Sequence, residues 1–297
     1  MSDLNNNIFK VMWEQSHALS KQLNKLNKRT FPSKEINDFV NELINVNQQF
    51  LEVFSDKDLI QKLNQSEIKM YNDLFRFYYE RVIKAVFNTN INNHPLEVMI
   101  PVKEILKELK GNNQPIFITE PQWEMNYGIG EIWSEFAKLL TQNNFNLNNK
   151  DQKISIKFPK IHKDNVLFGC VMGHELGHYF DIYNFKITEK ILPMIINHSN
   201  INKLISFLYY NNNNIDKKIE RELIKVILSK TVLKDWIKET VADIIGVLLY
   251  GPSLYFSCEQ LFMYYQVSPQ NNLKDNFSVT HPRHYFRSVV RKKVLDK

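Results

Sequence analysis

Apolar residues recur at helical spacing along most of the chain. Between residues 66 and 88, SEIKMYNDLFRFYYERVIKAVFN sets Tyr71, Leu74, Phe75, Tyr78, Val82 and Val86 on one face, the period of an amphipathic helix. Segments near 5–27 and 35–54 carry similar stripes, and SDKD at 55–58 has the form of a capping box opening a further helix. Stripes of this kind fill cores, so residues 1–110 read as a helical N-terminal subdomain.

The pattern changes at GNNQP, residues 111–115. PIFIT (115–119) and KISIKFP (153–159) have the short apolar runs of strands, with a helix expected between them from Ile129 to Leu140. YGIGE at 127–131 is a lone G-x-G, too little for a phosphate-binding loop. Beyond Lys163 the helical period returns, over roughly 164–184, 200–210, 215–230, 233–250, 253–265 and 282–294, with Asn211 to Asn214 as a polar surface loop. The fold class expected is α+β, predominantly helical, with residues 111–297 as a second domain.

Composition narrows the chemistry. The chain of 297 residues is 43% hydrophobic and 24% charged, an ordinary balance for a soluble globular protein. Its N-terminus lacks the basic and apolar regions of a secretory signal, and runs such as IIGVLLY at 244–250 are too short to span a bilayer. A cytoplasmic protein without a membrane span is expected. Cys170 and Cys258 form neither a disulfide framework nor a CxxC pair, so a metal would be held by histidine and carboxylate. Residues 281–297 carry five of the six net positive charges. That segment reads as a solvated basic helix face, with nucleic acid not the expected partner.

The chemistry concentrates in VMGHELGHYFD, residues 171–181. Residues i and i+4 of a helix lie side by side, so His174 and His178 can bind one ion, while Glu175 is rotated by about 100°. That offset suits a carboxylate that reaches water instead of the metal. Gly173 and Gly177 weaken a helix by roughly 1 kcal/mol each against alanine, which is sensible where a metal, a substrate or another backbone comes close. A catalytic zinc takes a third protein ligand. Sixty-one residues past His178, WIKETVADIIG places Glu239 and Asp243 four apart among apolar neighbours. Glu239 can complete a His2Glu set, and Asp243 can accept a hydrogen bond from a ligand histidine and fix its tautomer.

HELGH followed by ETVAD resembles the gluzincin metallopeptidases, whose pattern is HExxH with a downstream ExxxD. The wide gap and the ADxxG ending resemble the soluble core of the CaaX-processing type more than the thermolysin type. The resemblance spans roughly residues 150–295. It implies a zincin-like core with the HExxH helix beside a small sheet and the third ligand on a later helix. His174, His178 and Glu239 would be the zinc ligands, Glu175 the general base and Asp243 the partner of a ligand histidine. The chain lacks the membrane spans of the CaaX-processing proteases, so their lipidated substrates do not carry over.

THPRHYFR at 280–287 supplies candidates for a donor facing a developing oxyanion. His281 is the first choice, with His284, Arg287 and Tyr255 as alternatives. In that segment Thr280 or His281 would cap a helix with Pro282 in its first turn. Cys170 reads as a packed small residue, and His17, His94, His162 and His198 as structural or exposed. The expectation is a zinc peptidase acting on a peptide or protein, in which Glu175 moves the water proton. The N-terminal helices could serve such an enzyme as sensor or lid. The alternative is a non-catalytic zincin-fold scaffold acting through its helical subdomain and basic C-terminal helix.

Overall fold

The computed structural model describes residues 2–89, 94–110, 115–124, 126–148, 152–196, 230–267, 281–282 and 284–297. The chain divides into two compact units, Met1–Asp164 and Asn165–Lys297. The fold is α+β and mostly helical, with one three-stranded sheet. The expected helices at 200–210 and 215–230, the Asn211–Asn214 loop and His198 lie outside the described residues, apart from Lys230 itself.

In the first unit, α1 (Ser2–Leu26) and α2 (Lys34–Ser55) pack together. A buried polar contact fixes their pairing: Ser16 Oγ donates to Asn47 Oδ1 at 3.0 Å, and Asn47 Nδ2 donates to the Ser16 carbonyl at 3.0 Å and Ser20 Oγ at 2.7 Å. The short α3 (Lys57–Lys62) and then α4 (Gln65–Phe77) follow. The cap at 55–58 is not a box led by Ser55. Asp56 accepts from the Leu59 N–H, and the reciprocal capping box sits instead at Asn64 and Glu67. Residues Tyr78–Ile83 form a π turn before α5 (Lys84–Asn88). Five of the six residues expected on this face, Leu74, Phe75, Tyr78, Val82 and Val86, are buried. The Tyr78 hydroxyl donates to the Leu43 carbonyl at 2.6 Å.

After α6 (Leu96–Lys110) come β1 (Ile116–Gln122), β2 (Gly128–Glu131), α7 (Ser134–Gln142) and β3 (Lys153–Pro159). The sheet order is β1-β3-β2, with β1 parallel and β2 antiparallel to β3. Both expected strands form. The expected helix from Ile129 begins later, because Gly128–Glu131 pairs with β3 and the Glu131 carboxylate accepts from the Trp133 and Ser134 N–H groups. That carboxylate covers the open end of α7, where backbone donors lack helical partners. The sheet packs on α2 and α5. It therefore groups with the N-terminal helices, whereas the sequence pattern had set the division at residue 110.

The second unit contains α8 (Val166–Gly169), α9 (Met172–Phe180), α10 (Ile187–Ile196), α11 (Lys230–Tyr250), α12 (Pro252–Val267) and α13 (His284–Leu295). The helix expected over 164–184 is broken at Cys170 and Val171 and ends in a π turn at Asp181–Phe185. Asp181 there accepts from the Thr188 N–H and hydroxyl, tying the turn to α10. Among the described residues no helix is long and apolar enough to cross a membrane.

Candidate metal centre

The site depends on how closely α9 and α11 approach. A Cβ on Gly177 would stand 2.4 Å from the Ala242 carbonyl oxygen, and one on Gly246 would stand 2.9 Å from the Gly173 backbone. Two helices carrying larger side chains at these positions would be pushed apart. The glycine of HELGH, Gly177, thus serves a neighbouring backbone, whereas a Cβ on Gly173 would meet the Tyr250 and Leu254 side chains. Leu176, Val241, Ala242, Ile245 and Val247 are buried around the crossing, as their apolar character leads one to expect.

At this crossing His174, His178 and Glu239 converge, each offering an atom within 4.8 Å of the others. His174 Nε2 and His178 Nε2 are 3.1 Å apart. Glu239 turns Oε2 to His174 at 3.3 Å and Oε1 to His178 at 3.2 Å. Zinc–ligand bonds of about 2.0–2.1 Å in a tetrahedron set neighbouring ligand atoms about 3.3–3.4 Å apart. The observed spacings therefore match a zinc-sized ion closely. Glu239 Oε2 makes no hydrogen bond among the described residues, but the Arg287 guanidinium faces it at 3.1 Å, so its burial is compensated by charge and the case for an ion rests on the ligand spacing. The donor set fits zinc in chemistry as well as spacing.

Asp243, fully buried, lies behind His174. Its Oδ1 is 3.1 Å from His174 Nδ1. Arg287 donates to the same carboxylate through Nε at 2.7 Å and Nη2 at 3.0 Å, and Arg291 through Nη1 at 3.1 Å. Burial works against ionisation of Asp243, but the Arg287 charge and the His174 bond outweigh it and hold the carboxyl well below the ordinary range. An ionised Asp243 only accepts. His174 then carries a proton on Nδ1, and in the neutral form of the ring the Nε2 lone pair faces His178 and Glu239.

The electrostatics of the other groups follow the same pattern. Burial raises Glu239, yet its bonds with His174 and His178 and the nearby Arg287 charge pull it well below the usual carboxylate pKa. For His174, burial and Arg287 press the pKa down, and the bonds to Asp243 and Glu239 prevail, raising it to about 9. The pocket strongly favours positive charge at this point.

The remaining candidates separate. His281, with its side chain 54% exposed, brings Nε2 to 3.7 Å from Glu239 Oε1. Arg287 is buried, with Nη1 3.1 Å from Glu239 Oε2 and Nη2 3.3 Å from both ring nitrogens of His174. His284 instead packs on the Phe262 ring at 3.8 Å and faces Glu259 at 3.5 Å. Tyr255 is half-buried and packs edge-on against Phe256. Glu175 is half-buried on α9. Cys170 is half-buried, its Sγ set 3.5 Å from the Val166 carbonyl, and is not in the cluster.

Two features escaped the sequence reading. The basic C-terminal helix is not a uniformly solvated face, because Arg287 and Arg291 are buried among carboxylates. Glu259, which pairs with Arg291 at 3.1 Å, carried no signal of its own. The available hint was the four-residue spacing of the two arginines, which sets both on one side of a helix. The helix itself starts at His284, so Pro282 precedes it instead of occupying its first turn. Thr280 lies outside the described residues.

No protein-family model, curated protein or solved structure matches this chain.

Proposed function

We propose that the chain is a zinc-dependent hydrolase, most simply a peptidase, built on a zincin-like core. One observation carries the reading. Two imidazole Nε2 atoms and one half-buried carboxylate converge at 3.1–3.3 Å spacings from two different helices. His174, His178 and Glu239 would hold the ion, and zinc bound there would supply Lewis acidity toward water and a scissile carbonyl.

The protein groups divide the remaining work. Asp243 keeps the proton of His174 on Nδ1 and fixes the ring against rotation. Glu175 takes a proton from the attacking water and passes it to the leaving amine. His281, exposed at the rim beside Glu239, donates to the oxyanion that develops on the carbonyl. Arg287 is committed to Asp243 and Glu239, so it acts by holding those carboxylates in place. His284 faces Glu259 and Phe262, a placement that favours support of α13 over contact with substrate.

The test is turnover of a diverse peptide library followed by mass spectrometry, comparing wild type with Glu175→Gln. Cleavage by the zinc-loaded wild type, lost in a variant that still binds zinc, supports the assignment. Equal cleavage by both proteins removes Glu175 from its role.

A further inference from the structure

Arg291 is a buried charge for which the hydrolase reading gives no use. Its side chain is fully buried, and taking a guanidinium out of water is costly unless good partners compensate. Asp243 already receives two bonds from Arg287, so charge balance at Asp243 does not by itself call for a second arginine.

The geometry of Arg291 is that of a bridge. Nη1 donates to Asp243 Oδ1 on α11 at 3.1 Å, and Nη2 donates to Glu259 Oε1 on α12 at 3.1 Å. Its guanidinium lies 5.7 Å from the centre of the Phe262 ring, also on α12. Among the described residues its Nε–H finds no acceptor. The orientation therefore favours the two outer nitrogens, which join carboxylates from two helices to a third. Asp243 Oδ1 is the oxygen nearest His174 Nδ1, so the bridge ends on the atom that orients the ring.

We propose that Arg291, anchored by Glu259, is a positioning residue of the metal centre. It holds Asp243 Oδ1 in place, and through it the His174 ring, without itself touching His174, His178 or Glu239. The inference rests on the zinc reading above. Groups that bond a metal ligand directly, as Asp243 does, typically contribute ten- to a hundredfold to affinity, and Arg291, acting through Asp243, contributes a part of that.

The sign of the effect separates positioning from simple charge. Removing a cation near the site would, by electrostatics alone, strengthen binding of a divalent metal. Loss of positioning weakens it. Zinc affinity is measured by competition with a chromophoric chelator for wild type, Arg291→Met and Arg291→Lys. The lysine variant keeps the charge but has a single ammonium where the fork joined two carboxylates. The expected result is zinc binding weaker by about three- to tenfold in Arg291→Met, a part of the range for a ligand's direct partner, and weaker binding by Arg291→Lys with charge unchanged. The His174 Nδ1 proton resonance should move upfield in both as its bond to Asp243 loosens.

Zinc bound by wild type, with equal or tighter binding by the folded variants and an unmoved resonance, overturns the positioning role and leaves the metal site standing. If wild type itself binds no zinc, the metal reading fails first and takes this inference with it. Should Arg291→Met fail to fold, Arg291→Lys decides.

Discussion

Gly177 lies against the backbone of Ala242 so closely that a methyl group at residue 177 would stand 2.4 Å from the Ala242 carbonyl oxygen. This contact sets the distance between the helix carrying His174 and His178 and the helix carrying Glu239. Gly177→Ala should gain roughly 1 kcal/mol of helix propensity and lose more from overpacking. A net destabilisation of about 1–3 kcal/mol is expected, together with weaker zinc binding although no ligand is altered. Chemical denaturation and zinc titration of this variant check both halves.

Asp243 is tied to two arginines and a histidine in the interior. Asp243→Asn keeps the shape and removes the charge, leaving Arg287 and Arg291 poorly compensated. A loss of about 3–5 kcal/mol is expected for breaking such a buried network. The loss should be visible with a chelator present, since it belongs to the ion pairs and not to the metal. Urea unfolding in the presence of the chelator measures it.

The basic helix at the C-terminus contains two kinds of charge. Lys292 and Lys293 are exposed, and changing both to glutamine should alter stability by less than about 0.5 kcal/mol each. Arg287→Met should cost about 3–5 kcal/mol by stranding Asp243 and Glu239. Comparable small losses in all three positions would mean that Arg287 is solvated.

In the first unit, burial, with a smaller contribution from Lys103, presses His94 down to about 4, and its Nδ1 is 3.1 Å from Thr119 Oγ1. Unfolding restores a pKa near 6.5, so between about 6.5 and 4 the unfolded chain binds the extra proton. Stability then falls as the pH drops through this window, by on the order of 3 kcal/mol at its lower end, and the loss is absent above it. Urea midpoints at pH 7 and pH 4.5 should differ less in His94→Gln than in wild type.

How much of this was legible in the sequence follows from the range of each interaction. His174 with His178, and Glu239 with Asp243, are four-residue pairs, so helical geometry alone sets each pair on one face. That the two pairs meet depends on the glycine contacts between α9 and α11, and the sequence could only hint at close approach. The Arg291–Glu259 bridge joins residues 32 apart and has no local pattern. Its arginine looked like one more charge in a basic tail, because composition cannot tell an inward face from an outward one. The third strand was hidden for a different reason. Gly128 and Gly130 carry no strand propensity, and only pairing with β3 makes this segment extended.

The central claim is that His174, His178 and Glu239 form one zinc site, and elemental analysis of purified protein tests it most directly. Wild type should contain about one zinc per chain after reconstitution and dialysis, and Glu239→Ala should lose most of it while remaining folded. No zinc in wild type, or full zinc retention in the variant, would contradict the account.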